Sequence, residues 1–321
     1  MSAGAFGRLL YTDCRAGTGR GAGGGFQVQA QSSGVDMAQS RMAVSWLLYE
    51  AQNAWILERR PVRDFPLGLA HSSAAGFGTA QSRYVGQEAT GGRQGNHLAD
   101  CILTRDPGLY GPTRPAQLWR SALWRGEPWD GTDCPRLGGE PVPGPLTIEA
   151  LTDWARSRPG RAVVLERLLS VLEDPAGRRV VIVASSPDEA VTWIAAATLL
   201  VPARLALEIS FKVFCVNPLR AEQRIVAVPR ELNAQVAPGG GSVFVLDAEQ
   251  LTSDEAEVSE RARFLVGQLA GTADPYDVVD AVELAEALGA AGKPLGADTV
   301  LTAWAVTQPS SPLPDPAALF R

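Results

Sequence analysis

From Gly91 to Cys101 the chain reads GGRQGNHLADC, which sets an arginine, an asparagine, a histidine, an aspartate and a thiol close together. His97 in this stretch is one of only two histidines; the other is His71. These residue types could do two kinds of chemistry. Arg93 could grip a carboxylate or phosphate with its planar fork while His97 moves a proton near neutral pH. His97 could also form a nucleophilic pair with Cys14 or Cys101, the centre of a cysteine/histidine-dependent hydrolase or transferase. The same residues have an ordinary use. Gly91, Gly92 and Gly95 would shape a loop, Asn96 would cap a turn beginning at His97, and the ring would be partly buried with one hydrogen bond. Nothing in the spacing sets either thiol beside His97, so a structured turn comes first, a recognition surface second and a reaction centre third.

Other motifs are weaker. GRGAGG at Gly19–Gly24 matches GxGxxG as a string, but a dinucleotide loop must lead into a helix, and FQVQAQ follows with the alternation of a strand. A glycine-rich, flexible hairpin tip is the better account. There is no GxxxxGK[ST] phosphate loop, and no GxSxG elbow accompanies Ser72 or Ser73 near His71. The four cysteines, Cys14, Cys101, Cys134 and Cys215, form no CxxC pair. With two distant histidines they complete no familiar zinc pattern, so neither metal nor cofactor is expected, and free thiols suit a reducing cytoplasm.

The elements that must position these residues fall into two styles. Strand FGRLLYTDC, the glycine loop and strand FQVQAQ make a hairpin, with Phe26, Val28 and Ala30 on one face. A helix follows over SRMAVSWLLYEAQNAW with Ser40 as its cap, and SRYVGQEA reads as a short strand. NHLADCILTRDP reads as a short helix or a buried strand. A stretch rich in Gly, Pro and Trp then runs to about Leu146. From Thr147 helices and strands alternate. Thr147 and Ser186 are helix caps, Pro187 sits at the first turn, Glu189 completes a capping box with Ser186, and RRVVIVAS has the unbroken apolarity of a strand buried on both faces. LALEISFKVF, RIVAVP and SVFVLDA are three more strands, and helices over about 253–270 and 274–288 close the arrangement. The expected fold is an α+β N-terminal domain over 1–145, an α/β middle domain over 146–290 and a Pro-rich tail over 291–321.

Composition agrees. The chain has 321 residues, 45% hydrophobic and 20% charged, with a net charge of −6. The charge is uneven, about +2 before residue 141 and −8 after it, which favours a boundary there. An acidic chain with no basic stripe disfavours a nucleic-acid partner. The most apolar stretch, Ala190–Ile209, is broken by Pro202 and Arg204 and falls short of a membrane span. Lysine occurs only at Lys212 and Lys293, and the excess of Arg, Ala, Gly and Pro suggests a high-GC genome.

Two long stretches carry a resemblance. LYTDCRAGTGRGAGGGFQVQAQSSGVD with GGRQGNHLADCILTRDP resembles the N-terminal (type 2) domain of bacterial GTPase-associated proteins. ASSPDEAVTWIAAATLLVPARLALEISFKVF with RIVAVP is similar to the middle domain that follows it in that family. The resemblance spans roughly residues 5–145 and 155–270. It implies an intracellular adaptor, regulator or sensor beside a GTPase in an NTP-dependent conflict or defence system, largely actinobacterial. It also implies a longer C-terminal region in full members. The motif residues it carries over are Tyr11, Gly25, Phe26, Arg93, Gly95, Asn96 and His97, as a partner- or ligand-binding set with no assigned chemistry.

Overall fold

The computed structural model describes residues 4–174, 177–218, 220–235, 242–290 and 297–308. The opening hairpin forms as its alternation requires. Strand β1 (Ala5–Cys14) pairs antiparallel with β2 (Gly25–Gln31) in the register Tyr11↔Val28 and Asp13↔Phe26. The glycine loop between them is folded back along the outer edge of β2. Arg20 N donates to Val28 O at 3.0 Å, and Gln27 Oε1 accepts from Gly21 N at 2.6 Å. These bonds occupy part of an edge that would otherwise offer itself to another strand.

Helix α1 (Met37–Trp46) starts earlier than Ser40. Asp36 is its cap, accepting from Gln39 N at 2.9 Å, and Gln39 Oε1 accepts in return from Asp36 N. The helix stops at Trp46, and a separate short α2 (Asn53–Leu57) follows. Strands β3 (Gly68–Ser72), β4 (Phe77–Gln87) and β5 (Gln94–Thr104) form an antiparallel meander that joins β1 through β5. The stretch around His97 is thus the buried strand of the two alternatives. A two-residue β6 (Leu137–Gly138) pairs with the start of β1.

The second half begins with α3 (Ile148–Ser157), capped by Thr147 as expected, and α4 (Gly160–Glu173). Next come β7 (Arg179–Ala184) and α5 (Pro187–Leu199), whose Glu189 amide bonds the Ser186 hydroxyl at 3.2 Å. The segment read as the strand LALEISFKVF is in fact a helical turn, α6 (Ala203–Ala206), and a strand of only two residues, β8 (Phe211–Lys212). Strands β9 (Ile225–Pro229), β10 (Val243–Asp247) and β11 (Thr252–Ser253) follow, then α7 (Glu260–Ala270) and α8 (Pro275–Ala290). Within 291–321, residues 297–307 form α9 (Ala297–Thr307), and the stretch after Gln308 lies outside the described residues. Helix makes up 37% and strand 23%, a mixed α+β architecture, and no described helix is long and apolar enough to cross a membrane.

All eleven described strands belong to one sheet, in the order β11-β10-β7-β9-β8-β3-β4-β5-β1-β2 with β6 on β1. The join between the halves is short. β8 runs antiparallel to β3, pairing His71 with Phe211, and Val213 N donates to Leu69 O at 2.8 Å. Helices α3, α4, α5, α7, α8 and α9 cover one face around Trp193, Leu168 and Phe244. On the other face α1 lays Met42, Ala43 and Leu47 over Leu9, Ala80 and Cys101. Beyond it, Tyr49, Trp55, Phe65 and Phe214 cover Val181, Val226 and Val228. β7 is therefore buried on both sides, which is why its sequence shows no alternation.

Candidate functional site

The residues singled out by the sequence divide into a group that meets and a group that supports it. Tyr11 of β1, Phe26 of β2 and His97 of β5 lie on three neighbouring strands and point to the same face. Their rings stack: Phe26 on His97 at 4.7 Å between centroids and 21° between planes, Tyr11 on His97 at 5.9 Å, and Tyr11 on Phe26 at 6.1 Å. Phe26 is 39% exposed, so the stack opens outward. Inward it continues through Tyr49 to Phe214 and Trp55, crossing from one half of the chain to the other.

Gly25 and Asn96 give this stack its backbone. Gly25 has φ +111°, a conformation that a side chain resists, and it sets the start of β2 beneath Phe26. Asn96 is not a helix cap. Its Oδ1 accepts from Thr12 Oγ1 at 3.0 Å and Asp13 N at 3.2 Å, and its Nδ2 donates to Gln87 O, so it ties β1 to β4 and β5. Gly95 has φ +133° where β5 begins. Arg93 stands apart on the β4–β5 turn, exposed and 3.5 Å from Glu88.

Burial pushes His97 down to about 4, with the nearby Lys212 ammonium adding to that effect and the Gly95 backbone opposing it. The imidazole is therefore neutral near pH 7, and Nε2 has no hydrogen-bond partner among the described residues. Such a group offers a flat contact and one free nitrogen rather than a charged acid. The thiols do not join it. Cys101 lies four residues along the same strand, about 13 Å away at strand rise. Cys14 lies three positions from Tyr11 and so faces the other side of the sheet. Both are buried, and burial raises both thiols above their ordinary range. All four cysteines are expected to resist a thiol reagent at pH 8, reacting at least about a hundredfold slower in the folded chain than in urea. A fast-reacting native thiol at Cys14 or Cys101 would restore the nucleophile reading.

A second feature was not read from the sequence. Chain leaves the carboxyl ends of the adjacent parallel strands β7 and β9 in opposite directions, toward β8 from one and toward β10 from the other. In open α/β sheets a crevice opens at such a reversal. Here it has a volume of about 540 Å³ and is lined by Ala184, Pro187 and Pro229 together with Phe65, Arg83 and Arg120. Arg120 holds φ +53°, fixed by Gln81 Oε1 on its amide at 2.8 Å and by Asp188 on its guanidinium at 2.8 Å. Backbone strain of this kind gathers at binding sites. The run ERRPVRDF at Glu58–Phe65 was the available signal, since it places Arg59, Arg60 and Arg63 together. What it lacked was any hint that β4 and β9 would come to lie beside it.

Residues 5–140 match the family model for the N-terminal domain type 2 of GTPase-associated protein 1, and residues 151–248 match the model for its middle domain. The chain belongs to the GTPase-associated protein 1 family. The aromatic stack opens on its N-terminal domain, and the crevice takes residues from both matched regions. The chain is also 26% identical, over 83% of its length, to a proposed ESX-1 scaffolding and assembly protein, SaeB, of Mycolicibacterium smegmatis strain MKD8. For the protein of the same name in strain ATCC 700084 the identity is 28% over 78% of the chain. In both cases the match spans 32% of the relative's own length.

Proposed function

We propose that this chain is an adaptor in a GTPase-centred bacterial conflict or defence system, working in the cytoplasm by holding protein partners together. The pair of GTPase-associated protein 1 domain matches carries this reading. The scaffolding and assembly role in the names of the two relatives supports it. The N-terminal contact surface is the half-exposed stack of Phe26, His97 and Tyr11, and Arg93 on the β4–β5 turn is a second contact residue apart from it. An aromatic ring held rigidly by its neighbours loses little freedom on binding, which suits an interface anchor. The acidic balance of the chain favours protein over nucleic acid.

The test is affinity purification of the tagged chain from its host, read by mass spectrometry, beside Phe26→Ala and Arg93→Ala. The wild type is expected to recover a GTPase. Phe26→Ala is expected to lower that recovery about tenfold or more, as removal of an interface anchor does. Arg93→Ala is expected to weaken recovery while its melting temperature stays close to wild type, since the side chain is exposed. Recovery of no GTPase by the wild type would sink the adaptor reading. A sharp loss of stability in Arg93→Ala would make that residue structural.

A further inference from the structure

The crevice at the ends of β7 and β9 is separate from the aromatic stack, and its charges are unevenly satisfied. Arg60 is fully engaged: it meets Glu58 at 2.8 Å and Glu231 at 3.2 Å and lies over the Trp55 ring. Arg120 is engaged with Asp188. Arg83 is different. It is half-buried in the wall, close under the backbone of Gly126, and among the described residues no carboxylate pairs with it. Arg63, exposed in the same lining, is held only loosely, 3.7 Å from Asp64. Arg63 and Arg83 are thus two under-used guanidinium groups in one lining, whose carboxylates Asp64, Asp188 and Glu231 each already face an arginine. The same lining holds the apolar side chain of Val62, 49% exposed, beside Phe65.

We propose that this crevice takes an acidic segment of a protein partner, with one apolar side chain seated on the Phe65 and Val62 side and its flanking carboxylates on Arg63 and Arg83. The proposal rests on the adaptor reading and adds the chemistry of one partner. A free phosphate or nucleotide fits less well. The positive end of α5, which would attract it, is already met by Asp188, whose carboxylate accepts from Trp119 Nε1 and Arg120, both at 2.8 Å. A phosphate there would confront that carboxylate. Arg63 and Arg83 line the crevice together with Val62 and Phe65, as an acidic peptide with an apolar anchor requires.

The experiment probes the full chain with an array of seven-residue peptides, each with a central Leu, Ile or Phe flanked by four Asp or Glu, beside Asn/Gln counterparts. Acidic members are expected to be retained at least about tenfold better than their counterparts, and less so as salt is raised. Arg83→Glu and Arg63→Glu are each expected to lower retention about tenfold, whereas Arg20→Glu, on the distant hairpin, leaves it unchanged. Arg83→Gln, with its melting temperature checked, serves if the reversed charge does not fold. Equal retention of acidic and neutral peptides overturns the proposal, as does equal loss in Arg20→Glu. Displacement by millimolar GTP or inorganic phosphate also overturns it and makes the crevice a small-anion site. The adaptor reading is judged separately: recovery of a GTPase by Arg83→Glu from the host leaves that reading standing and removes the crevice from it.

Discussion

Asp100→Ala is expected to cost about 3–5 kcal/mol of stability, the usual consequence of leaving a buried charge without its partner. Asp100 is fully buried on β5 and grips Arg8 of β1 with both oxygens, one of them 2.9 Å from Arg8 Nε. The same carboxylate accepts from Arg125 N at 2.8 Å, and Arg8 Nη2 donates to Leu123 O at 2.8 Å. One ion pair therefore fixes two central strands and pins the Trp-rich segment that wraps them. At about 2–4 °C per kcal/mol for a large chain, the melting temperature should fall by roughly 6–20 °C. Arg8→Met combined with Asp100→Leu should recover much of the loss, because two apolar side chains leave no charge stranded. If Asp100→Ala melts within about 2 °C of wild type, the segment at 121–125 is held by other contacts and this pair is dispensable.

What the sequence could show depended on how far apart the deciding residues are. The hairpin of β1 and β2 was legible because Phe26, Val28 and Ala30 alternate with glutamines, and the start of α5 was legible because Ser186 and Pro187 are neighbours. β5 was ambiguous for a physical reason. Its residues from Leu98 to Leu103 are buried on both faces, so no alternation survives to separate strand from helix. The α1 start was misplaced because Asp36 and Ser40 are both good caps, and only the Gln39 side chain, closing the box on Asp36, selects between them. Asn96 between Gly95 and His97 has the type and place of a cap, but its amide holds strands together and caps nothing. Apart from the arginines of ERRPVRDF, nothing in the sequence marks the crevice, since Arg83, Arg120 and Asp188 come to line it only through pairings made far along the chain.

The join between β3 and β8 bears most on function. Two residues of β8 suffice to merge an antiparallel meander and a parallel α/β layer into one sheet, because the contact is reinforced from several directions. Gln223 Nε2 donates to Trp46 O at 2.9 Å, and Arg114 reaches the Leu199 and Val201 carbonyls and Glu283. The aromatic row from Phe26 to Trp55 runs over the same seam. An adaptor built this way holds the Phe26 surface and the crevice in fixed relation, so partners on the two sites would be held in one geometry.

His71 lies at that seam and makes stability depend on pH. It is completely buried, with Nε2 2.8 Å from Leu207 O and Nδ1 2.9 Å from Thr79 Oγ1, whose oxygen is also 2.8 Å from the Tyr110 hydroxyl. Since a carbonyl can only accept, Nε2 carries the proton and Nδ1 accepts from Thr79, leaving Tyr110 to donate to Thr79. The ring is neutral, and burial pushes it down to about 4. An unfolded histidine titrates near 6.5, so the unfolded chain takes up this proton first as pH falls. The neutral ring's contribution is present above about 6.5 and is lost progressively down to about 4, a change of roughly 3 kcal/mol. His97, also pushed down to about 4 but partly open beside Phe26, adds a smaller loss in the same window. Asp36, held low by the Gln39 amide and then by Arg105, loses its contribution only at lower pH and so does not imitate the histidines. Urea unfolding of the wild type should therefore show stability falling steadily between pH 6.5 and 4.5. His97→Phe, which keeps a ring in the stack, should remove only its own share of that slope. A stability that stays flat from pH 7 to 4.5 would mean that neither ring is held neutral, and the hydrogen-bond chain through Thr79 would have to be redrawn.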